Sequence, residues 1–318
     1  MGYCLISKFF QIKKGRYLVK ILIIDDSYLI YKSYFGFKGR HLKVERDGVE
    51  INTSAIFGFI REIIHMKVEE KYDYIISVED TGPYWKKTID EDYKKRPDKG
   101  MSIPSFNDEK ELIRAILYDL GIPSYYAQGY EGEEIGKALM KKYKDQHKID
   151  FYTNDEDTYA LIDDNVKLVK TDKGDIIKFG LEDLKEKYNV TPKQFVILKS
   201  LTGCKSDNVT SIIGVGNVTA SKLVNEFGTV RNVINNLDKV SKSLRTKIQE
   251  AIDNGNLKKS VKLTRMIAPK KLKKFKPEVK LGYKDILEFI DAQSFLNGSN
   301  KVVLMNIKKS QKKNKKRL

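Results

Sequence analysis

The sequence of 318 residues has few of the residues on which several protein classes depend. Its 2 cysteines cannot form a disulfide framework, so we expect the reducing environment of the cytoplasm. Its 3 histidines are too scattered to form a zinc-binding pattern. Charged residues interrupt every apolar stretch before the ~18 residues of a membrane span, so we expect a soluble protein without a membrane partner. Near the N-terminus we find no secretion signal, and Ile6 stands where a myristoylation signal requires Ser or Thr.

Positive charge is abundant. The chain has 60 Lys and Arg against 43 Asp and Glu, which gives a formal net charge of +17. With 41% hydrophobic residues it can bury a large core. A folded protein with such an excess of cations is expected to hold a polyanion, and nucleic acid is the leading candidate.

Short β-rich apolar runs that stop at a carboxylate repeat along the first half of the chain. They occupy residues 21–24, 74–78, 124–127 and 149–153, and helical stretches follow them. Runs that are apolar throughout indicate strands buried on both faces, so we predict an α/β fold with a parallel sheet covered by helices. Ligand sites in such sheets lie at the carboxyl ends of the strands, where these acids would gather.

The acids collected in this way form a candidate metal centre. Oxygen ligands from several segments, without nearby His or Cys, suit hard ions such as Mg²⁺ or Mn²⁺. Two ions ~3.5 to 4 Å apart would form the clamp used for phosphodiester hydrolysis. Taken singly, each acid also fits an ordinary role in a helical first turn or a loop, and their convergence favours the metal site. The candidate ligands are Asp25, Asp80, Glu131, Glu133, Glu134, Asp155, Asp157 and Asp207.

The remaining segments have different compositions. Residues 1–19 form a basic N-terminal extension, and a polar, aromatic and basic insertion follows Asp80. Helical spacing dominates beyond about Leu184, which predicts a helical subdomain over residues 191–295. Residues 296–318 form a basic C-terminal tail, and its run of cations without an acid over residues 308–317 is expected to be disordered.

In their order and spacing these motifs resemble the 5′ nuclease family. The family comprises flap endonucleases and 5′-3′ exonucleases of bacteriophages, including the phage RNase H-type 5′ nuclease, and a domain of bacterial DNA polymerase I. Residues 129–134 resemble its Gly-Tyr-Glu-Ala-Asp-Asp motif, with Glu in place of both Asp. Residues 153–157 resemble Ser-Gly-Asp-Lys-Asp, and residues 201–208 resemble Leu-x-Gly-Asp-x-Ser-Asp-Asn.

The resemblance implies a fold and a set of cofactors. The fold is a PIN-like α/β nuclease domain over residues 20–190, with a helical arch at about residues 82–110 and a helix-three-turn-helix in the helical subdomain. The implied cofactors are two Mg²⁺, with Mn²⁺ as the alternative, and a K⁺ at the helix-three-turn-helix. The resemblance also implies that Lys94 stabilises the scissile phosphate, as the matching lysine does in relatives. Asp25, Glu133 and Asp155 would be the other catalytic residues.

The arch insertion interleaves aromatic residues with cations, a pattern that suits single strands because rings stack on bases while cations neutralise phosphates. Gly214 and Gly216 would expose backbone NH groups to a phosphate of the duplex. For the arch insertion, the alternative to a contact with a single strand is an amphipathic helix in which Trp85 and Tyr93 belong to the core. The predicted DNA contacts are Lys32, Tyr84, Trp85, Lys86, Lys87, Tyr93, Arg96, Gly214, Gly216 and Lys222.

Two positions depart from the family pattern or leave a choice. Cys204 stands where the family has an Asp of the second metal site, and a neutral thiol is a poor Mg²⁺ ligand. We therefore expect a weakened second site and better cleavage with Mn²⁺ than with Mg²⁺. Of Glu79 and Asp80, we favour Asp80 as the metal ligand.

The sequence thus predicts a metal-dependent 5′-3′ exonuclease or flap endonuclease. Its expected partners are DNA with 5′ flaps or ends, RNA/DNA primers and replication proteins such as a single-strand binding protein, clamp or polymerase. We expect a monomer in the cytoplasm, that of the host cell if the chain is phage-encoded. Two other classes stay open. One is a catalytically decayed DNA-junction binding protein, and the other is a PIN-domain ribonuclease that cuts RNA without a duplex.

Overall fold

The computed structural model describes residues 18–37, 39–95 and 106–318. The strands in these ranges are β1 (Lys20–Asp25), β2 (Lys43–Arg46), β3 (Val49–Asn52), β4 (Tyr74–Val78), β5 (Ser124–Tyr126), β6 (Lys148–Tyr152), β7 (Val166–Asp172), β8 (Asp175–Phe179) and β9 (Lys273–Lys274). The helices are α1 (Asp26–Phe35), α2 (Ser54–Glu70), α3 (Phe106–Asp119), α4 (Gly132–Tyr143), α5 (Leu181–Tyr188), α6 (Pro192–Thr202), α7 (Asn217–Phe227), α8 (Val230–Asn235), α9 (Lys242–Asp253), α10 (Asn256–Leu263), α11 (Tyr283–Phe289) and α12 (Gly298–Asn314).

A mostly parallel sheet forms the centre of the fold. Its strand order is β8-β7-β6-β1-β4-β5-β9, and β2 and β3 form a separate hairpin. The inner pairs are parallel, whereas the edge strands β8 and β9 pair antiparallel with their neighbours. The α/β prediction is confirmed, and the four predicted strands correspond to β1, β4, β5 and β6.

Helices cover both faces of the sheet. Leu22 and Ile24 of β1 face a core shared with α2, α3, α11 and α12. Ile21 and Ile23 point to the opposite face and pack with α4. Because both faces are buried, β1 is apolar at every position from Ile21 to Ile24, which explains the absence of alternation.

Helices α5 to α10 surround a core of their own, which includes Leu198, Leu223 and Ile248. This part of the chain contains the predicted helix-three-turn-helix, in which α6 and α7 flank a loop over residues 203–216. The exact boundaries between the predicted domains stay predictions.

The prediction of a disordered C-terminal tail is wrong. Residues 298–314 form α12, whose Leu304 and Ile307 are fully buried. The amide of Gln311 donates to the carbonyl of Ile75 at 3.0 Å, and that of Asn314 donates to the carbonyl of Asp73 at 3.0 Å. One side chain in every three or four faces the core, and the cations occupy the rest of the helix. The number of positive charges therefore did not indicate whether this segment is folded.

The described ranges include only part of the basic extension over residues 1–19 and part of the predicted arch. Residues 1–17 and 96–105, and with them Arg96, lie outside the described residues. Residues 85–88 form a 3₁₀ turn, and α3 starts at Phe106 and packs on the core, so the described end of the predicted arch belongs to the body of the protein. In the described ranges, we find no helix with the length and apolar character needed to cross a membrane.

Candidate metal centre and nucleic-acid interface

Asp25 and Asp80 meet at the start of α4. Asp25 ends β1, caps α1 by accepting the backbone NH of Tyr28 at 3.1 Å, and accepts the hydroxyl of Thr153 at 3.1 Å. Asp80 follows β4 and accepts the backbone NH of Gly132 at 2.5 Å. A Cβ on Gly132 would lie 3.3 Å from Asp80 Oδ1 and 3.7 Å from Asp25 Oδ1. Glycine at this position therefore lets the backbone approach both carboxylates.

Glu131 and Glu133 join this group from the first turn of α4. Glu131 is fully buried and forms ion pairs with Lys94 and with Lys86, whose Nζ lies 2.5 Å from Glu131 Oε2. The hydroxyl of Tyr93 lies 3.1 Å from the same oxygen. Lys86 Nζ also lies 4.0 Å from Glu133. Two lysines thus neutralise part of the charge of this first set of acids.

A second set of acids lies beside the first. Asp155 follows β6 and accepts the backbone NH of Asp157 at 2.8 Å, which fixes the loop. Asp157, Cys204 and Asp207 each offer a ligand atom, and these atoms lie within 4.8 Å of one another. Tyr93 connects the two sets, because its hydroxyl is also 3.4 Å from Asp207 Oδ2.

Burial and neighbouring carboxylates raise the pKa values of three acids of the site. Burial raises the pKa of Asp25 to about 7, and the charge of Asp80 contributes. Burial likewise raises the pKa of Asp155 to about 6, with the charge of Asp157 as the next cause. Burial, followed by the charge of Glu131, raises the pKa of Glu133. Such destabilised anions favour a bound cation, and an all-carboxylate set suits Mg²⁺ or Mn²⁺.

Glu131 behaves differently from its neighbours. Burial on its own would raise its pKa, but the ammonium groups of Lys94 and Lys86 lower it. Burial also raises the pKa of the Cys204 thiol, and the charges of Asp157 and Asp207 add to the rise.

One predicted ligand is held by other partners. The carboxylate of Glu134 accepts the indole NH of Trp85 at 3.0 Å and the backbone NH of Ile267 at 2.9 Å. Glu134 therefore connects the arch segment and the chain after α10 to α4, and both of its oxygens accept from protein donors. Its role as a metal ligand stays a prediction.

The choice between Glu79 and Asp80 has a structural basis. Glu79 is fully buried and forms ion pairs with Arg114 at 2.6 Å and Lys110 at 3.3 Å. Only Asp80 of this pair approaches Asp25 through the start of α4, as described above.

Two predicted DNA contacts are buried. Lys86 is buried against Glu131, and Tyr93 is buried in a small core with Val209. Lys32 is half-buried, donates to the hydroxyl of Tyr152 at 2.6 Å and pairs with Glu62 at 3.5 Å, and its contact with DNA stays a prediction. The interpretation of Tyr93 as a core residue was the alternative left open above, and it fits the structure.

Among the described residues, the other predicted contacts are exposed or half-buried. Lys87 and Lys222 are exposed, and Tyr84 and Trp85 are half-buried. Lys94 is also half-buried, with its ammonium group 5.7 Å from the centre of the Tyr84 ring. In the helix-three-turn-helix, the exposed Gly214 has a φ of 76°, and Gly216 caps α7.

Some residues of the site were not identified from the sequence. The hydroxyl of Thr153 donates a hydrogen bond to Asp25, and Lys199 forms an ion pair with Asp157 at 2.8 Å. Asp26 is fully buried, and within the described ranges neither of its carboxylate oxygens has a hydrogen-bond partner. The signal for Asp26 was its position directly after the strand-ending Asp25, whereas Lys199 is an ordinary helical lysine in sequence.

Two family models match the chain in succession. Residues 20–189 match "5′-3′ exonuclease, N-terminal resolvase-like domain". Residues 190–281 match "5′-3′ exonuclease, C-terminal SAM fold".

Curated relatives agree with these matches. The 5′-3′ exonuclease of Mycoplasmopsis pulmonis is 28% identical over 288 residues, which cover 88% of this chain and 92% of the relative. The DNA polymerase I of Caldicellulosiruptor bescii is 32% identical over 252 residues, or 76% of this chain. The aligned part spans 28% of that polymerase's length, so only one part of the longer protein is comparable.

Solved structures share the fold. A zinc-bound phage T5 5′-exonuclease superposes with a TM-score of 0.62 at 16% identity, covering 92% of this chain and 98% of that chain. Flap endonuclease-1 from Methanococcus jannaschii superposes with a TM-score of 0.53 at 16% identity, covering 95% and 94% of the two chains.

Proposed function

Because the chain belongs to the 5′-3′ exonuclease family, we propose that it hydrolyses phosphodiester bonds near 5′ single-strand/duplex junctions of DNA. It would act as a 5′-3′ exonuclease or flap endonuclease and remove flaps and RNA primers during replication. The observation that supports this most directly is the pair of adjoining acidic sets, which lies beside the Lys94 segment.

We propose that these acids hold two divalent cations. Asp25, Asp80, Glu131 and Glu133 would hold one ion. Asp155, Asp157 and Asp207 would hold the other, with Cys204 beside them. When bound, such ions stabilise the attacking and leaving oxygens of a phosphodiester during hydrolysis. We propose Mg²⁺ or Mn²⁺ as the ions.

Lys94 is placed to act on the substrate. Its backbone NH donates to the carbonyl of Asp207 at 3.0 Å, and its side chain pairs with Glu131, so it lies between the two acidic sets. Lys94 also has a φ of 52°, an uncommon conformation for a residue with a side chain. A phosphate that enters the site would accept a hydrogen bond from the Lys94 ammonium group in place of Glu131. The ammonium group would then stabilise the negative charge that develops on the phosphate.

The surrounding surface would hold the DNA. Tyr84, Trp85 and Lys87 would contact the 5′ single strand, and Arg96 is proposed for the same role from the family spacing. The loop with Gly214 and Gly216, together with Lys222 of α7, would contact the duplex through phosphates. A K⁺ held by backbone carbonyls of this loop is part of the same proposal.

Replication proteins such as a single-strand binding protein, clamp or polymerase are the proposed partners, and a monomer in the cytoplasm is the proposed state.

Three labelled substrates test this function with the 318-residue chain. A 5′-flap DNA, the same strand alone and a single-stranded RNA of matched length are incubated with EDTA, Mg²⁺ or Mn²⁺. We expect metal-dependent cuts at the flap junction and little cleavage of the RNA. Preferential cleavage of the RNA would support the PIN-domain ribonuclease instead. Tight flap binding without cleavage in either metal would support a decayed junction-binding protein.

A further inference from the structure

The position of Cys204 is fixed by its loop. Its backbone NH and carbonyl both bond to Val209, at 2.9 Å each, and close a tight turn. The preceding Gly203 has a φ of 75°, and a Cβ there would lie 2.3 Å from the carbonyl oxygen of Val209. This geometry admits only glycine at position 203. The turn therefore fixes the position of Cys204 relative to Asp207.

The sulfur is directed into the second acidic set. One oxygen from Asp157, one oxygen from Asp207 and the Cys204 sulfur are all within 4.8 Å of one another. The Sγ lies 3.0 Å from the Ser206 hydroxyl, the side chain packs against the small core of Tyr93 and Val209, and the sulfur stands beside the two acids as a third ligand atom. The loop thus supplies sulfur and oxygen donors to one point.

From this arrangement we infer that Asp157, Cys204 and Asp207 form a mixed sulfur and oxygen site that selects a divalent transition-metal ion over Mg²⁺, with Co²⁺ and Zn²⁺ bound more tightly than Mn²⁺. Sulfur ligands favour the later transition metals, whereas Mg²⁺ binds oxygen almost exclusively. As the sulfur–metal bond forms, the S–H bond breaks and its proton passes to solvent. The inference deepens the proposed function and rests on it for the identity of the second metal position.

Cobalt provides a readout that does not depend on cleavage. The metal-free 318-residue chain is titrated with Co²⁺, and the near-ultraviolet sulfur-to-cobalt charge-transfer band is recorded. We expect a band that saturates at one sulfur-bound cobalt per chain and persists in a large excess of Mg²⁺. Stoichiometric Zn²⁺ should remove it.

The other cysteine of the chain supplies the matched control. Cys204→Ser and Cys204→Asp should both lose the band, while Cys4→Ser should keep it in full. Circular dichroism of the two Cys204 variants checks that they fold. In Cys204→Asp, the ratio of Mn²⁺-supported to Mg²⁺-supported flap cleavage should fall on the order of tenfold, the size typical of changes around a metal.

The outcomes separate this inference from the proposed function. Absence of the band in the wild-type chain, or its retention in folded Cys204→Ser, would overturn the sulfur site, even if the flap is cleaved. A band without cleavage in any metal would uphold the sulfur site and contradict the nuclease.

Discussion

Lys86 and Tyr93 show how a residue's role depends on the direction of its side chain. Both belong to a segment whose composition predicts contacts with a single strand, yet both point inward to Glu131. The segment lies beside the site because it follows β4 and Asp80. The sequence could not indicate that one lysine of the Lys86-Lys87 pair is buried and the other exposed, since this depends on the packing of α4 against the segment.

The buried lysine should matter for stability. Replacing Lys86 with Met removes one of the two cations paired with the buried Glu131 and should lower the free energy of unfolding by about 3 kcal/mol. Lys87→Met, at the exposed neighbouring position, should change it by less than about 0.5 kcal/mol. Urea unfolding of the metal-free chain measures both. Equal values for the two variants would show that Lys86 is not a counter-ion of the acidic set.

The Glu131-Lys94 pair leads to a prediction for catalysis. Lys94→Met should lower the rate of flap cleavage on the order of 100-fold or more, because the only proposed cationic side chain at the scissile phosphate is lost. Lys95→Met, at an exposed position paired with Asp92, should retain the wild-type rate. Single-turnover cleavage with saturating enzyme separates this effect from DNA binding. A normal rate for Lys94→Met would remove Lys94 from the proposed mechanism.

At the level of elements, the strands could be predicted because burial on both faces leaves continuous apolar runs, as in β1 and β4. The hairpin of β7 and β8 was missed, since its residues alternate between buried and exposed positions and carry several lysines. The start of α4 could be located from its run of acids. Its detailed geometry could not, because Glu134 turns to Trp85 only in the folded chain.

Helix α12 carries a prediction of its own. Leu304→Ala or Ile307→Ala leaves a cavity in the core beside the sheet and should cost ~2 to 5 kcal/mol of unfolding free energy. Met305→Ala, at a residue that is 42% exposed on the same helix, should cost far less. Thermal and urea unfolding of the three variants provide the comparison. Wild-type stability of both core variants would favour the disordered tail that composition alone predicted.

For the whole molecule, the net charge of +17 should govern DNA binding. The affinity for flap DNA in EDTA should fall at least about 100-fold between 50 and 200 mM salt. The lysines and arginines of the protein release condensed counterions from the phosphates on binding, and a higher salt concentration makes that release less favourable. Fluorescence anisotropy across a salt series measures the slope. A shallow slope would mean that base stacking, and not phosphate contact, holds the DNA.

The central claim is that the joined acidic sets cut DNA with the help of divalent metal. The most direct measurement is cleavage of a labelled 5′-flap DNA by the wild-type chain, Asp155→Asn and Asp164→Asn in EDTA, Mg²⁺ and Mn²⁺. Asp164 is exposed and precedes β7, at the sheet edge opposite to Asp155, so it serves as a control outside the site. We predict metal-dependent cuts at the junction by the wild type and Asp164→Asn, and their loss in Asp155→Asn. Cleavage by Asp155→Asn at the wild-type rate, or cleavage by any of them in EDTA, would contradict the account.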